Sequence, residues 1–242
     1  MHAASVDANA EVGPDGSDDA AVERIVAGVA HDFGNLLAVI TNYLSLASRR
    51  VEDPTTSDLL EQVRVAAKRA ARLNRQLHDL GECGSLTVQP VAVNDLVREV
   101  QPVLDESLDD AWELRLDLGD EPITALGSRT GLEMALRHLV DNAREAMPDG
   151  GPIEIATRRI GDAHDSPVEL SVSDQGSGMA PDVVERAAEP RFSTRPTGQV
   201  GGLGLTIVDR VVGTLGGDLQ IESTVGTGTT VRLRLSGGPI GG

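Results

Sequence analysis

The stretch LGLTIVDRVVGTLGGDLQIESTVGTGTTVRLRL, residues 203–235, decides the fold of the C-terminal part of this chain. Leu203–Leu215 carries the apolar spacing of a helix. Asp218–Ser223 and Thr229–Leu235 read as neighbouring strands, joined through Thr227-Gly228 into a closing hairpin. Upstream, the two patterns keep alternating. Strands are predicted at Val168–Ser173, Ile153–Arg159, Glu113–Leu118 and Leu86–Val93, and helices at about Thr130–Met147 and Asp95–Leu108. This alternation predicts an α/β sandwich, with helices on one face of a mixed sheet. No strand–GxxxxGK[ST]–helix unit occurs, so the domain is not a P-loop fold.

Further toward the N-terminus the strand signals stop. Val22, Val26, Val29, Phe33, Leu36, Ile40, Tyr43 and Ala47 recur at spacings of four and three. Glu52-Asp53-Pro54-Thr55-Thr56-Ser57 interrupts the pattern, and Leu59, Val63, Ala66, Ala70, Leu73, Leu77 and Leu80 resume it. Two heptad-patterned helices with a short link make an antiparallel hairpin. One hairpin buries little surface, so pairing of two copies into a four-helix bundle is its natural completion. The alternative is packing of the hairpin onto its own C-terminal domain. Gly81-Glu82-Cys83-Gly84-Ser85 reads as a linker. Residues 1–18 hold acids but no lysine or arginine, the composition of a disordered tail. The domains expected are therefore a tail over 1–18, a helical hairpin over 19–82 and an α/β domain over 86–236.

Composition narrows the function classes. Hydrophobic residues make up 40 % of the 242, enough for a core, but aromatics only 2 %, so that core is aliphatic. The formal net charge of −17 opposes nucleic-acid binding through a generally basic surface. The single cysteine, Cys83, allows no internal disulfide and points to a reducing compartment. No apolar run approaches 18 residues, and no charged-then-apolar leader opens the chain, so no membrane insertion is expected and the location expected is cytoplasmic.

Four constellations carry chemistry. The first is His31-Asp32-Phe33-Gly34-Asn35-Leu36-Leu37. His31 lies ~200° around the helix from Val29 and from Phe33, with Asn35 ~40° from it on the same face. A neutral imidazole can attack phosphorus through one ring nitrogen while a carboxylate holds the proton on the other. The second is Asp141-Asn142-Ala143 on the long helix, where the Asn142 amide oxygen is a hard, neutral ligand of the kind Mg²⁺ accepts. The third, Asp174-Gln175-Gly176-Ser177-Gly178-Met179, follows a strand. A carboxylate there can accept an amino proton, and glycines let backbone approach a flat ring. The fourth, Gly201-Gly202-Leu203-Gly204-Leu205, opens a helix whose free N–H groups suit phosphate. Before it, Pro190–Val200 has no clear periodicity and suits a lid over a nucleotide. Each of these alone is also ordinary: an exposed His beside an acid, a polar flank Asn, a Gly-rich turn.

Together and in this order, they resemble the bacterial sensor histidine kinase family of two-component systems. HDFGNLL resembles the H box of the HDFNNLL subgroup, LVDNAREAMPDGG the N box, and DQGSGM the first glycine box. PRFSTRPTGQVGGLGLTIV resembles the lid and second glycine box, and VGTGTTVRLRL the closing Gly-Thr-Gly segment. The resemblance covers residues 20–236. It implies an α+β chain: a helical hairpin forming a dimeric four-helix bundle, then a Bergerat-type α/β sandwich that binds ATP with Mg²⁺. It implies autophosphorylation of a histidine and transfer to a response-regulator receiver aspartate. Position by position, His31 matches the phosphoacceptor, Asp32 its acid–base partner, and Asn35 the residue orienting water for dephosphorylating the receiver. Asn142 matches the Mg²⁺ ligand and Asp174 the adenine-reading acid. Gly176, Gly178, Gly202, Leu203 and Gly204 fall in the nucleotide loops, and Arg195 stands where a lid lysine is common.

Three residues depart from the family pattern. Gly34 replaces an Asn, with a reshaped receiver contact as the expected consequence, and costs roughly 1 kcal/mol relative to Ala inside a helix. His138 replaces the Asn four residues before Asn142, where related ATPases carry a water-activating Glu. Val200 replaces the first lid glycine. Arg64, Lys68, Arg72 and Arg75 form a band on the second helix that can steer an acidic receiver, or simply be a solvated face. With no sensor domain expected in the tail, input is expected from a separate sensory partner. The competing function is a histidine phosphotransferase with a degenerate ATP-binding domain.

Overall fold

The computed structural model describes residues 15–119, 122–163, 165–189 and 202–239, and for 15–25 the backbone alone. Helix α1 (Asp15–Ser48) and helix α2 (Pro54–Glu82) form an antiparallel hairpin. α2 starts inside the stretch expected to be the break: Asp53 caps it, the carboxylate accepting from the Thr56 N–H at 2.8 Å, and Pro54 takes the first turn, where its missing donor is harmless. α1 begins at Asp15, inside the segment expected to be a tail; residues 1–14 of that expectation lie outside the described residues.

The hairpin closes on a seam other than the stripe of large residues. Ala27, Ala30 and Leu37 of α1 and Ala67 of α2 are buried, with Gly34 and Asn74 half-buried between them. The Asn74 Nδ2 donates to the Ala30 carbonyl at 2.7 Å, and a Cβ on Gly34 would stand 3.1 Å from that nitrogen. Gly34 therefore gives Asn74 its room. Val29, Phe33, Leu36, Ile40 and Tyr43, the heptad stripe, stay exposed, Phe33 at 57 % and Leu36 at 59 %. Small residues let the two helices approach closely, and the bulky positions are turned away from the hairpin's own interior.

The linker expected at 81–85 is not a loose connection. α2 runs through Glu82, a 3₁₀ turn follows at Cys83–Ser85, and Cys83 is fully buried in the core of the next domain. The thiol is a small apolar group, and burying it holds the helix end in place.

The α/β domain runs β1 (Gln89–Ala92), α3 (Val93–Glu106), β2 (Trp112–Leu118), β3 (Thr124–Gly127), α4 (Arg129–Ala146), β4 (Gly151–Arg159), β5 (Val168–Asp174), α5 (Pro181–Arg186), α6 (Gly204–Thr214), β6 (Asp218–Thr224) and β7 (Gly228–Leu235). Five strands make one mixed sheet in the order β2-β4-β5-β7-β6, with β2 parallel to β4 and all other pairs antiparallel. β1 and β3 pair separately. β3 and α5 were not read from sequence; four- and six-residue elements offer too few periods to see.

One face of the sheet packs on the helices. Ile153 and Ile155 of β4, Leu170 of β5 and Leu233 of β7 are fully buried against Leu132 and Leu136 of α4 and Ile207 of α6. The other face is polar, with one buried acid: Glu169 of β5, beneath Arg158, Arg232 and Arg234.

Candidate active site

α4, the end of β5 and the start of α6 converge on a cavity of about 290 Å³. Asn142, Asp174, Gly178, Gly202 and Gly204, far apart in sequence, all line it. Its apolar walls come from Leu139 of α4, Val172 of β5 and Val231 of β7, the inward positions of elements whose alternation was legible.

Asp174 sits at the C-terminal end of β5. Its Oδ1 accepts from the Gly176 N–H at 2.8 Å and the Thr229 N–H at 3.3 Å. Its Oδ2 carries no bond among the described residues. Burial raises the Asp174 carboxyl above the usual aspartate range, and the two N–H donors offset this only in part. A half-buried carboxylate with one oxygen held and one free is an oriented acceptor.

Asn142 faces the first residue of α6. A Cβ on Gly204 would stand 2.9 Å from the Asn142 Oδ1, so only glycine there leaves the amide its place. α6 carries no side-chain cap, with Leu203 at its N-cap position. The Asn142 amide and the uncapped helix start thus meet at one end of the cavity. This donor set suits an anion with a hard cation beside it: an amide oxygen, backbone N–H groups and, among the described residues, no competing carboxylate bond on Asn142.

The glycines of the Gln175–Met179 loop serve the protein's own packing. A Cβ on Gly178, at φ +62°, would fall 2.0 Å from the Thr224 carbonyl oxygen. Gly176 lies against Ala146 rather than in the cavity wall. The loop is pinned by the Ser177 N–H to the Ala146 carbonyl at 3.0 Å and by the Met179 N–H to the Ser223 Oγ at 2.8 Å. Arg195, Val200 and the lid segment lie outside the described residues.

His31, Asp32 and Asn35 stand apart from this cavity, exposed on one turn of α1. The basic band is partly engaged. Arg64 pairs with Glu61, the Nε–Oε2 distance being 2.6 Å, and Arg72 pairs with Glu145 of α4. Lys68 and Arg75 border a groove of about 1030 Å³ between α1, α2 and the end of α4.

His138 is the residue whose place sequence reasoning missed. It does not line the cavity. It is buried against α2, its Nε2 2.9 Å from the Asp79 Oδ2, with the Arg137 Nη2 3.2 Å from the same oxygen. Burial alone would push the Asp79 carboxyl up, but the hydrogen bond with His138 and the charge of Arg137 hold it below the usual range. Asp79 stands among Gln76, His78 and Glu82 near the end of α2, and no local pattern sets it apart.

Known proteins agree with this architecture. The family described as His Kinase A (phospho-acceptor) domain matches residues 21–82, and the family described as histidine kinase-, DNA gyrase B-, and HSP90-like ATPase matches residues 127–238. The chain is 33 % identical over 228 residues to the sensor kinase CckA of Brucella abortus (strain 2308), covering 89 % of this chain and 24 % of that protein. It is 31 % identical over 219 residues to the sensor histidine kinase ZraS of Escherichia coli (strain K12), covering 89 % and 45 %. The chain thus spans less than half the length of these relatives. Among solved structures, the mycobacterial sensor histidine kinase MprB superposes with a TM-score of 0.54 at 26 % identity, over 64 % of this chain and 100 % of that one. Full-length ShkA in complex with AMPPNP shares the fold over 90 % of this chain and 46 % of that one, with a TM-score of 0.65 at 22 % identity. No helix among the described residues is long and apolar enough to cross a membrane. With a phospho-acceptor hairpin and an ATPase-type sandwich matched in that order along one polypeptide, the chain belongs to the sensor histidine kinase family.

Proposed function

We propose that this chain autophosphorylates His31 from MgATP and passes the phosphoryl group to an aspartate of a response-regulator receiver domain. The observation that carries the reading is the convergence of Asp174, Asn142 and the Gly204 turn on one cavity, in a chain that presents His31 beside Asp32 on an exposed helical turn. In this reading the free Asp174 Oδ2 accepts the adenine amino proton. Asn142 supplies the protein's oxygen to Mg²⁺, and the start of α6 holds phosphate. The nucleotide supplies the transferred phosphoryl group. His31 offers a ring nitrogen as nucleophile, and Asp32 holds the proton on the other nitrogen, keeping the attacking one unprotonated. Asn35 orients the water that removes phosphate from a docked receiver.

The second copy belongs to the same proposal. The exposed stripe of Val29, Phe33, Leu36, Ile40 and Tyr43 is continuous along α1, and a second hairpin laid on it completes a four-helix bundle. Lys68 and Arg75, which border the groove, suit an acidic receiver.

Incubation with γ-labelled ATP and Mg²⁺ tests the central step. An acid-labile label that mass spectrometry places on His31 is the expected result. An acid-stable label rules out a phosphohistidine. Nucleotide binding too weak to measure, with label accepted only from a phosphorylated receiver, moves the reading to a phosphotransferase.

A further inference from the structure

The glycine loop after β5 and the tip of the β6–β7 hairpin interlock through backbone. A Cβ on Gly228, at φ +133°, would fall 2.0 Å from the Asp174 carbonyl oxygen, and the Gly226 N–H donates to the Ser177 carbonyl at 2.8 Å. One side chain crosses the same junction. Ser223, near the end of β6, is half-buried and stands directly opposite Thr229 of β7. Side chains alternate along a strand, so both share the sheet face of Ile221 and Val231, which is the core and cavity side.

The Ser223 Oγ has three partners. The Met179 N–H reaches it at 2.8 Å, the Gly228 carbonyl oxygen lies 3.1 Å away, and the Thr229 Oγ1 lies 2.8 Å away. A serine hydroxyl has one proton to give and two lone pairs to receive with. The amide must donate and the carbonyl must accept, so the serine proton goes to Gly228. The third contact is then satisfied only if the Thr229 hydroxyl donates to Ser223. In that arrangement every bonding position of the Ser223 oxygen is filled.

This decides what Thr229 can offer. Thr229 lines the cavity, and its backbone N–H holds the Asp174 Oδ1 at 3.3 Å. With its own proton committed to Ser223, the Thr229 hydroxyl has only lone pairs left. A free threonine hydroxyl turns to suit a donor or an acceptor; a tied one does not. The Asp174 carboxylate also only accepts, so the pair presents acceptors alone.

We propose that Ser223 is a positioning residue for base selection: by taking the Thr229 proton it keeps Thr229 an acceptor beside Asp174, so that the pair favours adenine over hypoxanthine, in which an oxygen replaces the amino group. Ser223 does not itself line the cavity, so it acts through Thr229, within the nucleotide site of the reading above.

The test compares MgATP with the magnesium complex of inosine triphosphate on the full chain, by calorimetry. In Ser223→Ala the Thr229 hydroxyl regains its proton and can donate to the hypoxanthine oxygen. One neutral hydrogen bond is worth a factor of about three to ten, so the ratio of ATP to inosine triphosphate affinity should fall by that factor. Ser223→Thr keeps a hydroxyl and should hold the parent ratio. Thr229→Val removes the hydroxyl at nearly constant size and should also lower the ratio, and adding Ser223→Ala to it should change the ratio no further. Without nucleotide, the Met179 amide should exchange faster in Ser223→Ala and at the parent rate in Thr229→Val. Unchanged Met179 exchange in Ser223→Ala overturns the bonding scheme. Both nucleotides weakened by one common factor make Ser223 a packing residue and overturn base selection. A fall in the ratio that persists when Thr229 is already valine overturns the route through Thr229. If Ser223→Ala does not fold, Thr229→Val decides alone: a lowered ratio supports the proposal and an unchanged one overturns it. A parent that binds neither nucleotide removes the nucleotide reading and base selection with it. A parent that prefers ATP, with variants that keep the preference, removes only the part given to Ser223.

Discussion

At the residue scale, Asp174 separates fold from binding because its two oxygens have different partners. Asp174→Asn can keep the carbonyl on the Gly176 and Thr229 N–H groups while its NH₂ replaces the free Oδ2. An acceptor facing the cavity becomes a donor. A hydrogen bond to a charged group is worth about 1.5–3 kcal/mol, so ATP affinity should fall by about 10- to 100-fold in calorimetry. The folded-state carboxyl is raised, so the stability it contributes is present below its unfolded value and is lost as pH rises through the raised one. Asp174→Asn should therefore melt no lower than the parent at pH 7. Nucleotide binding should weaken as pH falls toward that raised value, and by more than it does in the variant. A parent-like ATP affinity in Asp174→Asn removes the adenine contact. On α1 the three exposed residues divide the chemistry. His31→Gln should abolish labelling with ATP binding intact, and Asp32→Asn should slow labelling by on the order of 10²-fold if proton uptake is lost. Asn35→Ala should label normally and slow only receiver dephosphorylation. Labelling lost equally in Asn35→Ala would remove the division of roles.

At the scale of elements, β5 faces two ways. Its inward side is core, and its outward Glu169 is buried under Arg158, Arg232 and Arg234, with the Arg158 Nε at 2.8 Å and the Arg234 Nε at 3.1 Å. Burial pushes the Glu169 carboxyl up, but the hydrogen bonds from Arg158 and Arg234 bring it below the usual glutamate range. A depressed folded-state value contributes stability above the unfolded one, and that stability is lost as pH falls through the depressed one. Glu169→Gln should lower stability at pH 7 by about 1–2 kcal/mol, Arg158 and Arg234 being exposed enough to recover water and Arg232 keeping Glu222 as a partner. Thermal melts should show the difference shrinking as pH falls through the depressed value; a gap that persists once the carboxyl is protonated would assign the loss to packing. The hairpin shows the same division within one helix. α1 uses a small-residue seam inward, where Gly34 admits Asn74, and a bulky stripe outward. The departure at Gly34 thus has a packing cause within the hairpin.

At the scale of the whole molecule, that outward stripe asks for a second copy. Phe33→Asp with Leu36→Asp places two charges where the bundle is proposed to close, and neither side chain is buried in the single chain. Light scattering should give a dimer for the parent and a monomer for the double variant, with far-ultraviolet circular dichroism of the α/β domain retained. A parent of monomer mass at micromolar concentration would end the four-helix proposal.

Periodicity and local chemistry determined the order of the longer elements, the α/β class and the positions of the Gly-rich loops. Those signals repeat every two to four residues and need no knowledge of what packs opposite. The five residues that meet at the cavity were also nameable, because acids, amides and glycines at element ends stand out from an aliphatic background. Which of two heptad stripes closes the hairpin was decided only in three dimensions. Both have the same spacing, and the choice depends on how closely Ala27, Ala30 and Gly34 let α2 approach. The roles of His138, Asp79 and Cys83 were settled there too. Their partners lie on another element, as with the 59 positions that separate His138 from Asp79, and no local pattern encodes a contact whose two halves fold separately.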